Sequence, residues 1–221
     1  MPKCKICQSK FTASNSLKPT CDSYDCKVAY ALKVAEKNKA ARERKEKKDH
    51  REWKKAATER SAKLSKLKAT LQSNVNKITS IIDGDMNCLS CKAPITIINR
   101  SNAGHRWSVG ANPHLRYNLH VIHQQGVCCN LHKSGNPDGY DKGLIEVYGQ
   151  EYKDFVHSLH EDQFDLKLAR HEVIETNKRA LAFIAHLKKL NPEYIVNNRL
   201  KLRNEGNAFL GIYNVNFVKN T

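Results

Sequence analysis

The spacing of apolar residues changes character several times along the chain. From Lys27 to about Ile82 there is no proline or glycine, and Ala, Lys, Glu, Arg and Leu dominate, which predicts mostly helix. The later part of that run places Leu64, Leu67, Leu71, Val75, Ile78, Ile81 and Ile82 at three- and four-residue steps. Such a face must dock on something, either the next domain or a second copy of the chain. Asp83-Gly84-Asp85 is a turn signal and a boundary. Then come the β-branched run Ile95-Thr96-Ile97-Ile98, a tight Ala-Gly turn and His105, a pattern of strand and hairpin. After Pro137-Asp138-Gly139 a helical period returns and stops at Asn191-Pro192, with Phe164, Leu168, Val173, Leu181, Ile184 and Leu187 as packing positions. The ending GNAFLGIYNVNFVKNT alternates loosely and reads as a short strand or a disordered tail.

Composition narrows this picture. A chain of 221 residues with a hydrophobic fraction of 40% and six prolines favours small folded units joined by exposed helix over one large core. The net charge of +16 favours a polyanionic partner, nucleic acid first, because each neutralised phosphate releases condensed counterions. Between Lys33 and Lys68 fifteen Lys or Arg face six Asp or Glu, a net of +9 and more than half of the total. Pairs such as Glu43 with Lys47 and Glu59 with Lys63 account for the acids on a solvated helix, but not for the excess of base. A phosphate-tracking arm accounts for both. No stretch approaches the ~20 apolar residues that span a bilayer, and the start MPKCKICQSK has no apolar signal core, so a cytoplasmic protein is expected.

Eight cysteines carry the candidate metal chemistry, because in a reducing compartment closely paired thiols point to zinc rather than to bridges. Cys4 and Cys7 form a Cys-x2-Cys pair, thirteen residues separate them from Cys21, and Cys26 completes a set that suits one tetrahedral ion. That segment has few apolar residues besides Ile6, Phe11 and Leu17, so the metal must supply much of its folding energy. Cys88 and Cys91 form a second knuckle, to which a hairpin and a helix start bring back Cys129. A zinc there aligns His105 with Asn130, on the first turn of the following helix. A neutral imidazole and an amide oxygen around one cleft suit metal-assisted phosphodiester hydrolysis, with imidazole taking a proton from water and Mg²⁺ or Mn²⁺ stabilising charge on phosphate.

This is the ββα-metal arrangement of HNH nucleases, and AGHRWSVGANPHLRYN followed by VIHQQGVCCNLHKSGN resembles the NinG (Rap) family of lambdoid phages. The resemblance extends to the N-terminal cysteines, the basic helix and GLIEVYGQE, and weakens beyond about residue 165. It implies a recombination endonuclease that cuts branched DNA, such as Holliday junctions and displacement loops, in the host cytoplasm, with phage or host recombination proteins as further partners. Carried over by motif, His105 is the general base and Asn130 a metal ligand, while Lys133, Ser134 and Asn136 meet phosphate or the ion. Arg106 and Arg116 flank the cleft as phosphate contacts.

Three departures from the pattern matter. Gly126 stands where the family's CxxCN has its first cysteine, so Cys128 is expected as the displaced thiol, with His123 a rival fourth ligand. Val121 stands where the middle Asn of the HNH pattern falls, leaving Asn118 or His120 to brace the loop. Gly104 precedes the base where an acid or His is common, with Asn102 near enough to help. His114 and His120 read as surface or hydrogen-bonded residues, and His157, His160, His171 and His186 need no special role. The expected architecture is small α+β: a zinc ribbon or knuckle over 1–27, a basic helical arm over 28–82, a ββα-metal core over 83–150, C-terminal helices over 151–191 and a tail over 192–221. A homodimer, through the 64–82 face or the C-terminal helices, supplies two incisions. The competing reading is a non-catalytic zinc module that binds DNA or RNA, with both zincs acting only as staples.

Overall fold

The computed structural model describes residues 1–13, 15, 17–61 and 63–218, and only the backbone of 59–61. It divides into two compact units, Met1–Ser61 and Ala62–Thr221. The Glu59–Lys63 pair expected from sequence lies outside the described side chains.

In the first unit the Cys4–Cys7 turn closes through Gln8 N–H to the Cys4 carbonyl at 3.0 Å and Cys4 N–H to the Ser9 carbonyl at 2.9 Å. Cys26 sits in the first turn of α1 (Tyr24–Ser61), and Phe11 packs with Cys4 and Cys26 into a core of very few side chains. From Ala31 to Lys55 every side chain of α1 is exposed. Intrahelical pairs stabilise it, but not the expected one: Arg42 meets Glu46 at 2.9 Å and Lys48 meets Glu52 at 3.9 Å.

The helix predicted to run through to Ile82 is interrupted, for Lys63 is extended and α2 (Leu64–Ile82) starts afresh. The break falls where a mostly polar, exposed helix gives way to an amphipathic one. The apolar face of α2, built on Leu67, Leu71, Val75, Ile78 and Ile82, packs chiefly on α5 (Arg170–Leu187) and meets both strands. Asn74 donates to Asn177 across that contact at 2.9 Å. This face is therefore filled from within the chain, which removes it as a dimer surface.

The sheet has two antiparallel strands, β1 (Ser101–His105) and β2 (Ile122–Gly126), in register from Ser101 opposite Gly126 to His105 opposite Ile122. The β-branched run Ile95–Ile98 is not a strand. Thr96 and Asn99 close it into a loop, with the Asn99 N–H on Thr96 Oγ1 at 3.0 Å and the Thr96 N–H on the Asn99 carbonyl at 3.1 Å, leaving Ile97 and Ile98 in solvent. Nor does an Ala-Gly turn precede His105: Ala103 and Gly104 are strand residues and His105 ends the strand. After β2 come a short π-helical turn (Cys128–His132), α3 (Pro137–Tyr148) and α4 (Gln150–Glu161), so Asn130 lies on that turn and not on a regular helix. Of the expected packing positions, Val173, Ile184 and Leu187 are buried, whereas Phe164 and Leu181 remain half exposed.

Residues 192–218 are not a tail. They form α6 (Pro192–Asn197) and α7 (Arg199–Leu210), followed by an irregular stretch that buries Tyr213 and Phe217. Arg203 on α7 is wholly buried, donates to the Leu119 and Ile122 carbonyls, and pairs with the equally buried Asp83 at 2.6 Å. The C-terminal helix thus pins the end of α2 to the strand that carries the partner of His105.

Candidate metal centres and the His105 site

Two groups of thiols have the compactness a metal needs. The sulfurs of Cys4, Cys7, Cys21 and Cys26 lie within 4.8 Å of one another, as do those of Cys88, Cys91 and Cys129. Four thiols drawn together resist ionising together. Burial raises Cys4, but surrounding backbone N–H groups, with Cys7, bring it down to about 6, while burial and its sulfur neighbours push Cys26 up to about 12. In the second group burial likewise raises Cys88, yet N–H groups of Gly126, Cys91 and Ser90 hold it below its usual value. Burial pushes Cys129 up to about 12, with Cys91 and Cys88 adding to it and a hydrogen bond from Asn136 opposing it. A divalent soft-tolerant cation removes this conflict by coordinating thiolates, so both groups fit zinc.

Cys128 is not part of the second group. Neighbouring residues on a turn point apart, so Cys129 is buried while Cys128 is exposed, its N–H donating to Asn99 Oδ1 at 3.3 Å. The expectation that Cys128 replaces the thiol missing at Gly126 is corrected. His123 is no substitute either: it is fully buried, with Nδ1 2.8 Å from the Tyr140 hydroxyl and Nε2 3.4 Å from that of Tyr152. The space a side chain at Gly126 would fill is taken by the Asn99 amide. Among the described residues no fourth His, Cys, Asp or Glu joins this triad.

The Lys-Ser-Gly-Asn break after the π turn is a left-handed turn. Ser134, Gly135 and Asn136 have φ of +49°, +84° and +47°, a conformation that Gly and Asn tolerate best. Four contacts hold it. The Gly135 N–H reaches the Cys129 carbonyl at 2.9 Å and the Asn136 N–H the Lys133 carbonyl at 2.8 Å. Asn136 Nδ2 lies 3.6 Å from Cys129 Sγ, and Gln125 donates to the Gly135 carbonyl at 2.7 Å. Gln125 also donates to Ser90 Oγ of the Cys88–Cys91 knuckle at 2.5 Å. Its side chain lies flat over Gly104, where any Cβ would overlap Gln125 Oε1. Glycine before His105 is therefore what lets Gln125 tie the knuckle, the turn and the end of β1 together. A Cβ at Gly135 would stand 3.9 Å from the His105 carbonyl oxygen, so the turn borders the strand end directly.

His105 Nε2 lies 3.0 Å from the Arg116 carbonyl oxygen, which can only accept. The Gln72 amide nitrogen lies farther from the same atom, at 3.5 Å, so the shorter contact to a pure acceptor assigns the ring proton to Nε2 and the lone pair to Nδ1. Burial lowers the pKa of His105 below its usual value and the Arg116 charge lowers it further, against the raising effect of that carbonyl. Burial and the Arg116 charge thus favour the neutral imidazole. Gln72 on α2 accepts from Arg116 Nε at 3.2 Å and donates to Asn76 at 2.8 Å, which fixes the segment supplying the carbonyl.

The other expected contacts divide. Arg106 is committed to Asp141 by two bonds of 2.7 Å, with His157 on the same carboxylate at 3.0 Å. Burial raises Asp141, but the hydrogen bonds from Arg106 and His157 and the Arg106 charge hold it below the usual carboxylate range. Asn136 turns toward Cys129 and Ser90, Lys133 is exposed, and Arg116 borders His105. Of the bracing candidates, Asn118 accepts from the His120 N–H at 2.9 Å and from Asn207 at 3.0 Å. His120 bonds Tyr152 and Asn204, whereas His114 is buried against His160 and Phe164 instead of at the surface. Sequence reasoning missed Gln72, Asn99, Gln125 and Arg203; only the glycines at 104 and 126 signalled that a neighbour fills their space.

The family model described as Bacteriophage Lambda NinG protein matches residues 1–191. Protein ninG of Escherichia phage 933W is 34% identical over 167 residues, covering 72% of this chain and 81% of that protein. Protein ninG of Escherichia phage lambda is 40% identical over 89 residues, covering 40% of this chain, so that the match spans 43% of that relative. Protein ninG of Salmonella phage P22 is 38% identical over 89 residues, with 40% of this chain and 43% of that protein covered. No solved structure matches the chain. No helix among the described residues is long and apolar enough to cross a membrane.

Proposed function

The chain belongs to the NinG family of lambdoid phages, and from that premise we propose that it is a zinc-stapled endonuclease of ββα-metal type that hydrolyses phosphodiester bonds in branched DNA, acting in the host cytoplasm. The observation that carries this reading is the state of His105. Its Nε2 proton is held by a backbone carbonyl and its Nδ1 is left as an unprotonated base on a strand end bordered by a left-handed turn. That is the preparation a general base needs to take a proton from water near neutral pH. The thiol triad supports it indirectly, since Cys129 is bonded to the turn through Gly135 and Asn136.

Among the described residues no cluster of carboxylates stands beside His105, so the protein alone offers a hard cation little. Asn130, on the π turn, would offer such a cation one amide oxygen, with DNA phosphate as a further oxygen donor. A bound Mg²⁺ or Mn²⁺ supplies electrostatic stabilisation of the charge developing on phosphate and on the leaving oxygen. Lys133, exposed beside Asn130, and Arg116, beside the imidazole, meet neighbouring phosphates. A four-way junction presents bent, accessible backbone that a basic protein recognises by shape. Two copies make the paired incisions.

Incubation with a labelled four-way junction in Mg²⁺ or EDTA tests this. Cleavage occurs only with the metal, and His105→Ala retains the mobility shift while losing the cut. The scarcity of carboxylates favours one competitor, a non-catalytic zinc module that binds nucleic acid. It shifts the junction in both buffers and never cuts it.

A further inference from the structure

The charge of α1 is sorted by face, and this sorting specifies how the helix meets its partner. At ~100° per residue, with Trp53 taken as the origin, Lys33, Lys37, Arg44, Lys47, Arg51 and Lys55 fall within a sector about 80° wide on the opposite side. All six are exposed, and among the described residues none is engaged in an ion pair. No Asp or Glu between Lys33 and Lys55 shares that sector. The acids lie outside it: Glu46 and Asp49 flank Trp53, with Glu46 answering Arg42 at 2.9 Å, Glu52 reaches Lys48 beyond one edge of the sector at 3.9 Å, and Glu36 and Glu43 border the other edge, about 20° and 40° beyond Lys47. From Lys33 to Lys55 the row is about 33 Å long at 1.5 Å per residue, close to one helical turn of B-DNA.

We propose that this carboxylate-free row is a docking surface for the backbone of duplex DNA, spanning about one turn of it. The inference rests on DNA being the partner, but it is independent of whether the protein cuts. A membrane surface is the poorer occupant, because an interfacial helix needs an apolar face opposite its cations. Here the opposite side carries Arg42, Glu46 and Asp49 around a single Trp53. The four-cysteine cluster anchors the start of the helix through Cys26, so the row projects from a fixed base.

The test compares two triple variants of the full chain that lose the same charge. Lys37→Gln, Arg44→Gln and Arg51→Gln empty the row, whereas Lys39→Gln, Arg42→Gln and Lys45→Gln remove three cations from other faces. Glutamine is chosen because its helix propensity is close to that of Lys and Arg, and circular dichroism checks that helicity is kept. Affinity for a 20-base-pair duplex is measured in EDTA from 50 to 300 mM salt. Each lost phosphate contact reduces the slope of log K against log salt by ~0.9, so the row variant is expected to lose about 2.7 of slope and the control less than ~1. Equal losses in the two variants, or an unchanged slope in the row variant, overturn the proposal. So does a row variant that loses sedimentation with phosphatidylserine vesicles while binding DNA as before. A wild-type protein that shows this slope difference but never cuts a junction keeps the docking surface and removes the nuclease reading.

Discussion

Removing the guanidinium of Arg203 is expected to loosen the whole second unit, and the cost follows from what it touches. Arg203 has no exposed surface; it pairs with Asp83, itself fully buried, and donates to the carbonyls of Leu119 and Ile122. Arg203→Met leaves the Asp83 carboxylate facing only the Gln124 N–H at 3.0 Å and two carbonyls without their donor. Breaking a buried pair from one side costs ~3–5 kcal/mol. For a domain of this size each kcal/mol shifts the midpoint by ~2–4 °C, so the unfolding temperature should fall by about 6–20 °C in a calorimetric scan. Ile122 is the register partner of His105, so the cleavage proposed above should fall as well. The double variant Asp83→Leu with Arg203→Met removes both charges and should recover most of the loss. A drop under ~2 °C for Arg203→Met alone would refute the reasoning, as would a double variant no better than the single.

Three further outcomes are expected. Burial first and then the Arg203 charge hold His120 down to about 3 and His123 well below its usual value, which favours the neutral form of both when folded. The unfolded chain takes up these protons below ~6.5, so stability is at its full value above that pH and falls toward pH 3, at up to ~1.4 kcal/mol per pH unit for each imidazole. Urea midpoints against pH should show it, and His120→Gln should flatten the slope; identical slopes in the two proteins contradict it. Gly104→Ala drives a methyl into the Gln125 amide, whereas a Cβ at Gly110 meets nothing. The first should lose ~1–3 kcal/mol in denaturant and the second almost none, and equal effects would mean Gln125 does not hold the strand end. Finally, metal analysis should find Cys129→Ser short of one zinc and Cys128→Ser unchanged; zinc lost from the latter would return that exposed thiol to the coordination shell.

What the sequence disclosed was set by range. Knuckle spacings and the α2 stripe are local periodicities, and each appears in the structure as a thiol cluster and a packed helix face. His105, the Cys88–Cys91 knuckle and the Cys129 turn, far apart in the chain, are joined by Gln125, a residue with no pattern of its own. The β-branched Ile95–Ile98 run misleads because Thr96 and Asn99 side chains bond their neighbours' backbone better than a strand partner would. The C-terminal helices were hidden by Asn, Gly and Arg at positions that are buried: Arg203, Gly206 and Asn207 face the core because Asp83, Leu119 and Asn118 answer them there. Polar residues that pack by pairing leave no hydropathy signal.

The most direct test of the account is nitrogen NMR of the His105 imidazole in the zinc-loaded protein, repeated after chelation. A neutral ring protonated on Nε2 at pH 7, with that signature lost when zinc is withdrawn, is the predicted result. A charged ring at pH 7, a proton on Nδ1, or a spectrum indifferent to zinc contradicts it.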